Sequence, residues 1–357
     1  MNTKINSATV TWITYLNFGT FLQAYALQKS ILKLGYNNKI LCDRRIVTPK
    51  RRFSLRMFLR KIKLRILNRD LSERLYKKFK KKHLIIDTEI DFKKINAKYQ
   101  VMLCGSDQIW SPYLKFTPYY YLDFYHGKKI AYAPSIGTAT WPKEYITNTK
   151  PLLRQFSALS VREKESAIAL NQELGLEVHT VLDPTLLLRG EEWKQQLLEK
   201  DKRQGGYILC YFLTPTSWYL EYVKEYAKKQ NKSIKIFDTH SEYSHFGENV
   251  AAGPQEFLSM INAADEIFTD SFHATIFSIL FHKKFVTFKR FKDGGEKDQN
   301  LRLYNLFTLL DLKDYFIGEE ELGTLSTLNQ PNYKEIDIKL EKLRNDSLSY
   351  LKKSLSE

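Results

Sequence analysis

EIFTDSFHATIFSILFHKK, residues 266–284, decides how the chain is read. Ile267 and Phe268 open it as an apolar strand and Thr269, Asp270 and Ser271 form a polar turn. Ile276, Ile279 and Leu280 then recur at helical spacing. Strand, turn and helix are the repeating half of an open α/β sheet, and in such sheets ligands bind at the carboxyl ends of the strands. His273 falls in the first turn of the helix, facing that crevice. A neutral imidazole there can take or give a proton near neutral pH. The competing reading is a capped helix start, with Asp270 or Ser271 as N-cap and His273 an ordinary polar residue.

The same alternation continues on both sides of this stretch. Before it, YILCYFL (207–213) and SIKIFDT (233–239) read as strands, and 219–229 and 255–263 as helices. After it come the strand FVTFKR (285–290), a helix over 301–310 and a charged helix over 333–355. The first half opens with VTWITYL, then Asn17-Phe18-Gly19-Thr20, then an amphipathic helix that Gly35 would terminate. A helix start after a glycine turn can present N–H groups to an anion, although Gly19 also suits a plain tight turn. Strand 101–104 runs into Gly105-Ser106-Asp107-Gln108, with Trp110 beyond; an ordinary Asx turn is the alternative there. A further strand ends at Arg162-Glu163, where the arginine suits a carboxylate or phosphate, or else a surface pair with Glu163 or Glu165. The next strand ends at Asp183-Pro184-Thr185. The expected fold is α/β, two Rossmann-like domains facing across a cleft. The expected boundaries are 1–195, with a basic helical insertion at about 50–84, then 196–330, then a bracing helix over 331–357.

The formal charge of the 357-residue chain is +16, and it is concentrated. Residues 50–82 hold fifteen Lys and Arg against Asp70 and Glu73, a net of +13 that leaves about +3 elsewhere. So local an excess argues against a surface built throughout for nucleic acid. Apolar residues at helical spacing (55, 58, 59, 62 and 66, then 71, 75 and 79) predict two basic amphipathic helices. They suit either an anionic membrane surface or a solvated face packed on the body. Cys42, Cys104 and Cys210 lie in or beside apolar runs without metal or redox spacing, which predicts buried thiols in a reducing compartment. No apolar run is long enough to span a bilayer, so the chain is expected in the cytoplasm, with peripheral attachment at the inner face of the plasma membrane open to it.

Five stretches taken in order resemble the polysaccharide pyruvyl transferase family: NFGTFLQAYALQ at 17–28, GSDQIW at 105–110, SVRE at 160–163, DPT at 183–185 and TDSFHATIFS at 269–278, followed by the helix carrying Asn300 and Arg302. The resemblance spans residues 8 to about 318. It implies a glycosyltransferase-B-like fold. It also implies transfer of the pyruvyl unit of phosphoenolpyruvate to a sugar of a cell-surface polysaccharide or its lipid-linked precursor, as a pyruvate ketal. Phosphoenolpyruvate is then a co-substrate; no other cofactor and no metal is expected. The implied catalytic residues are His273, Asp107 and Asp270. Donor contacts are expected from Arg162, Arg302, Gly19, Thr20 and Ser271, and acceptor contacts from Asn17, Gln108 and Trp110. Some members carry an arginine two residues before the histidine; here that position is Ser271, and Ala274 stands where many members have glycine. Arg162 and Arg302, then Lys284 and Arg290, are the candidates to replace that cation.

Two other functions fit the same sequence. A glycosyltransferase with a nucleotide-sugar donor would share the architecture, because fold does not settle function. A non-catalytic membrane-peripheral binding protein would work through residues 50–82 and leave His273 idle.

Overall fold

The computed structural model describes residues 4–47, 69–138, 140–199, 203–237, 245–291 and 300–357. The chain forms two compact units: Met1–Arg51, Lys80–Leu188 and Leu340–Glu357 make the first, Arg52–Phe79 and Arg189–Lys339 the second. In chain order the elements are β1 (Asn6–Val10), α1 (Phe18–Lys33), β2 (Asn37–Leu41), α2 (Arg44–Val47), α3 (Arg69–His83), β3 (Ile86–Asp87), α4 (Phe92–Lys98), β4 (Val101–Cys104), β5 (Lys128–Ala131), α5 (Lys143–Leu153), β6 (Leu159–Val161), α6 (Lys164–Leu174) and β7 (Val178–Thr180). There follow α7 (Gly190–Trp193), β8 (Tyr207–Tyr211), α8 (Ser217–Lys229), β9 (Ser233–Phe237), β10 (Glu248–Val250), α9 (Pro254–Ala263), β11 (Glu266–Thr269), α10 (Phe272–Leu280), β12 (Lys284–Phe288), α11 (Leu301–Leu310), β13 (Phe316–Ile317) and α12 (Tyr333–Ser356).

Each unit is a parallel, Rossmann-like sheet. In the first, the order is β3-β2-β1-β4-β5, and β6-β7 continue it through the Ile130–Ala158 bridge. In the second, the order is β10-β9-β8-β11-β12-β13. Parallel strands are covered on both faces and so read as unbroken apolar runs; VMLC, YILCY and EIFT are buried throughout. In both sheets the chain winds outward from a central strand, then returns to that strand's other side. The direction reverses between β1 and β4 and between β8 and β11. Crevices for ligands open at such switch points, beyond the carboxyl ends of the strands.

Local chemistry sets the element ends. Asn17, in extended conformation, accepts the Thr20 N–H at 3.2 Å and starts α1; Gly35, at φ +93°, follows its end as expected. The core of the first unit packs Leu27 and Ile31 of α1 against Val101, Leu103 and Ile130, with Leu351 and Leu355 of α12 closing it. The core of the second is aromatic, with Tyr219 stacked on Phe288 at 4.8 Å between centroids. Cys42, Cys104 and Cys210 are buried and form no disulfide. No helix among the described residues is long and apolar enough to cross a membrane.

The basic segment departs from expectation in one respect. The first of its two expected helices lies outside the described residues. Its second, α3, lies up to Phe79 with the second unit rather than with the N-terminal domain it interrupts. The cause is packing: Ala252 N–H donates to Ser72 Oγ at 3.2 Å, and Leu75 approaches Gly253 so closely that a Cβ there would lie 2.7 Å from it.

Asp87, at the end of β3, ties this edge to α4 by accepting from Lys98 Nζ and the Tyr99 hydroxyl. Burial alone would raise its pKa, but the bonds from Lys98 and Tyr99 outweigh burial and hold it at about 2. A carboxyl depressed in the folded state stabilises above its unfolded value, near 4, and loses that contribution as pH falls toward 2. Asp87→Asn should therefore cost about 1–2 kcal/mol at neutral pH. Urea midpoints should show the gap from the parent protein closing as pH falls through this window.

Candidate functional site

At the carboxyl edge of the first sheet, buried polar groups converge from five strand ends. Thr11 follows β1, Ser106 and Asp107 follow β4, and Ser135 follows β5. Arg162 and Glu163 follow β6, and Asp183 follows β7. Gly105 makes the turn possible: it sits at φ +119°, and a Cβ there would lie 2.0 Å from the Tyr132 carbonyl oxygen. Asp107 is itself at φ +70°, and its carbonyl accepts the Ser135 N–H at 2.8 Å. Its Oδ2 accepts the Thr20 hydroxyl at 2.6 Å, a bond that spans the β1–β4 switch point.

Arg162 is the centre of this edge. It is 5% exposed and donates from Nη1 to Asp183 Oδ2, with Glu163 Oε1 at 3.5 Å from Nε. Burial opposes the guanidinium charge, but Asp183, Glu163 and Asp107 outweigh it and hold the pKa above its ordinary value. The carboxylates are anchored in turn. Asp183 Oδ1 accepts from the Thr185 N–H and hydroxyl, at 2.9 and 2.6 Å. Glu163 accepts from the Ser135 hydroxyl at 2.5 Å and from Ile136 N–H at 3.3 Å. The sequence offered a surface pair or an anion ligand for Arg162; the structure gives an internal, carboxylate-surrounded charge.

The second sheet builds its own edge. Ser271 caps α10, its Oγ accepting the Ala274 N–H at 3.4 Å, so the capped-start reading holds for that residue. His273 lies in the first turn of α10 and is buried. Its ring meets Phe272 edge to face at 5.2 Å, and the Arg302 guanidinium stands 5.8 Å from the centre of the Phe272 ring. Asp270 accepts from Leu213 N–H at 2.6 Å, Thr214 N–H at 2.8 Å and the Tyr219 hydroxyl at 3.3 Å. Burial raises its pKa, against the opposing effects of Arg290 and these donors. Arg290, beyond the end of β12, donates to Thr214 Oγ1 at 2.9 Å and lies 3.9 Å from Asp270.

Several expected site residues thus take other places. Asp270 clasps the loop after β8 across the β8–β11 switch point instead of orienting His273. Trp110 is 1% exposed, its indole N–H bonded to the Tyr120 carbonyl and its ring stacked on Tyr121, which leaves no face for a sugar. Gly19 and Thr20 are buried in the first turn of α1, where the Asp107 carboxylate already sits by the Thr20 hydroxyl. Asn17 is the helix cap, and Gln108 is half-buried beside Gly137. Lys284 opens β12 at the amino edge and pairs with Glu266 at 3.1 Å, so it is at the wrong end of the sheet to serve His273. Sequence reasoning passed over Asp183, Glu163 and Ser135 as one cluster with Arg162. The signal was present, since SVRE and DPT end consecutive strands. Among the described residues no group of His, Cys, Asp and Glu is arranged to hold a metal ion.

Removing either partner of the Arg162–Asp183 pair strands a buried charge. Asp183→Asn and Arg162→Met should each lose about 3–5 kcal/mol in urea unfolding, and the double variant should lose less than the sum.

Comparison with known proteins places this geometry. No curated protein matches the chain in sequence. Among solved structures it is similar to a Listeria monocytogenes protein provisionally assigned as a UDP-N-acetylglucosamine 2-epimerase, at TM-score 0.54 and 10% identity over 96% of this chain and 91% of that one. It is also similar to the UDP-GlcNAc 2-epimerase of Methanocaldococcus jannaschii, at TM-score 0.51 and 12% identity over 96% of this chain and 100% of that one. At such identities the likeness shows the fold alone, the glycosyltransferase-B-like class expected from the sequence. The family model for polysaccharide pyruvyl transferase matches residues 17–290, from the N-cap of α1 to Arg290. The chain belongs to the polysaccharide pyruvyl transferase family.

Proposed function

We propose that the protein transfers the pyruvyl unit of phosphoenolpyruvate to two hydroxyls of a sugar in a cell-surface polysaccharide or its lipid-linked precursor. The observation that carries this reading is the grouping of His273, Arg290 and Arg302 at the carboxyl edge of the second sheet. Phosphoenolpyruvate brings a phosphate and a carboxylate, so its site needs cations. The first unit sets three carboxylates around one buried guanidinium, which repels such a donor. The donor is therefore assigned to the second unit, with Arg302 and Arg290 as its cations in place of Arg162. The carboxylates and hydroxyls of the first unit suit sugar hydroxyls instead.

In the reaction one acceptor proton ends on the methylene carbon, which becomes the methyl group, and C2 gains oxocarbenium character. The two sugar oxygens bond to C2, the C2–O bond to phosphate breaks, and the second acceptor proton leaves with phosphate. His273 is assigned the proton on the leaving phosphate or the attacking hydroxyl. Asp107 is assigned to acceptor orientation. Asp270 keeps its place as the clasp that positions Thr214 and Arg290.

His273→Ala should lower turnover by about 10²–10⁴-fold at an unchanged melting temperature, read as phosphate release in the presence of acceptor. An unchanged rate would remove His273 from the chemistry. Calorimetric titration of phosphoenolpyruvate into the parent protein should saturate, and Arg302→Ala should weaken it. Binding of a nucleotide-sugar with none of phosphoenolpyruvate would move the protein to nucleotide-sugar chemistry.

A further inference from the structure

Helix α3 presents two unlike faces. Tyr76 and Phe79 are buried, and Ser72 bonds Ala252 on the same side. The opposite face carries Leu71, Arg74, Lys77, Lys78, Lys81 and Lys82, all exposed. Positions 71, 74, 78 and 81–82 recur at three and four residues, so they form one stripe along a 15-residue helix, about 22 Å long. Among the described residues, the side chains of Lys77, Lys78, Lys81 and Lys82 make no ion pair or hydrogen bond. Lys77 and Lys81, like Lys78 and Lys82, are four apart, a spacing at which like charges destabilise a helix.

We infer that this face of α3 docks the protein on an anionic lipid bilayer. Three features select a bilayer over a nucleic acid. Leu71, 43% exposed at the start of the stripe, supplies an apolar contact for the interface. Four of the five cations are lysines, compact point charges suited to a diffuse field of head groups rather than to bidentate phosphate recognition. The exposed stripe also has no aromatic or amide side chain to stack on a base or read its edge. The inference concerns attachment and does not depend on the pyruvyl reading.

The test uses the full chain and sedimentation with phosphatidylcholine vesicles, with and without phosphatidylglycerol, at low and high salt. Binding is expected only to vesicles containing phosphatidylglycerol, weakening as salt rises. Replacing Lys77, Lys78, Lys81 and Lys82 together by Gln should lower vesicle affinity on the order of 10²–10³-fold, since each cation near an anionic surface contributes several-fold. All four are exposed, so circular dichroism should show an unchanged fold. Replacing Lys334, Lys342, Lys352 and Lys353 of α12 by Gln removes the same charge elsewhere and should leave binding intact. Undiminished binding in the α3 variant, an equal loss in both variants, or equal binding to neutral vesicles would overturn the inference. So would tighter binding to duplex DNA than to anionic vesicles at the same salt.

Discussion

A guanidinium buried among three carboxylates governs the first unit. Arg162 is buried, and Asp183, Glu163 and Asp107 favour its charge against the cost of that burial. Each of those carboxylates is also fastened to backbone or hydroxyl donors: Thr185 of the same turn for Asp183, Ser135 and Ile136 of the loop after β5 for Glu163, and Thr20 of α1 for Asp107. One charge therefore fixes the turns that follow four strands. The edge of this sheet is rigid because moving any of these loops would expose an unbalanced ion in a medium that screens it poorly.

The second unit solves the same geometric problem with the opposite sign. There a buried carboxylate, Asp270, is the hub, and backbone N–H groups of Leu213 and Thr214 are its partners. Arg290 stands beside Asp270 with a fifth of its side chain exposed, and His273 and Arg302 lie on helix starts at the same edge. The result is two carboxyl edges of different character, one with its cation enclosed and one with cations toward its surface.

The sequence made the alternation of strands and helices legible because strands buried on both faces leave apolar runs, as in VMLC and EIFT. Helix ends were legible where one residue decides them, as Gly35 and Ser271 do, whereas the cap at Asn17 reads in the sequence as a ligand contact. The edge strands β3, β10 and β13 are two or three residues long and carry no period to detect. Partnerships were the least legible. Arg162 finds Asp183 twenty-one positions away and Asp270 finds Leu213 fifty-seven away, and both depend on which strands become neighbours. Trp110 was misplaced for a related reason: an aromatic after a polar turn can face a ligand or the core, and the Tyr120 carbonyl that claims its N–H is ten residues further on.

The division of the chain has a bearing on biosynthesis. The first unit takes its first strand, β1, and its closing core residues, Leu351 and Leu355 of α12, from segments far apart in the sequence. Vectorial synthesis usually lets the leading domain fold while the remainder is still emerging. Here Arg189–Lys339, the larger part of the second unit, is synthesised between the segments that build the first unit. Until α12 has been made, Leu27, Ile31 and Leu103 of the first unit lack the apolar cover that Leu351 and Leu355 give them.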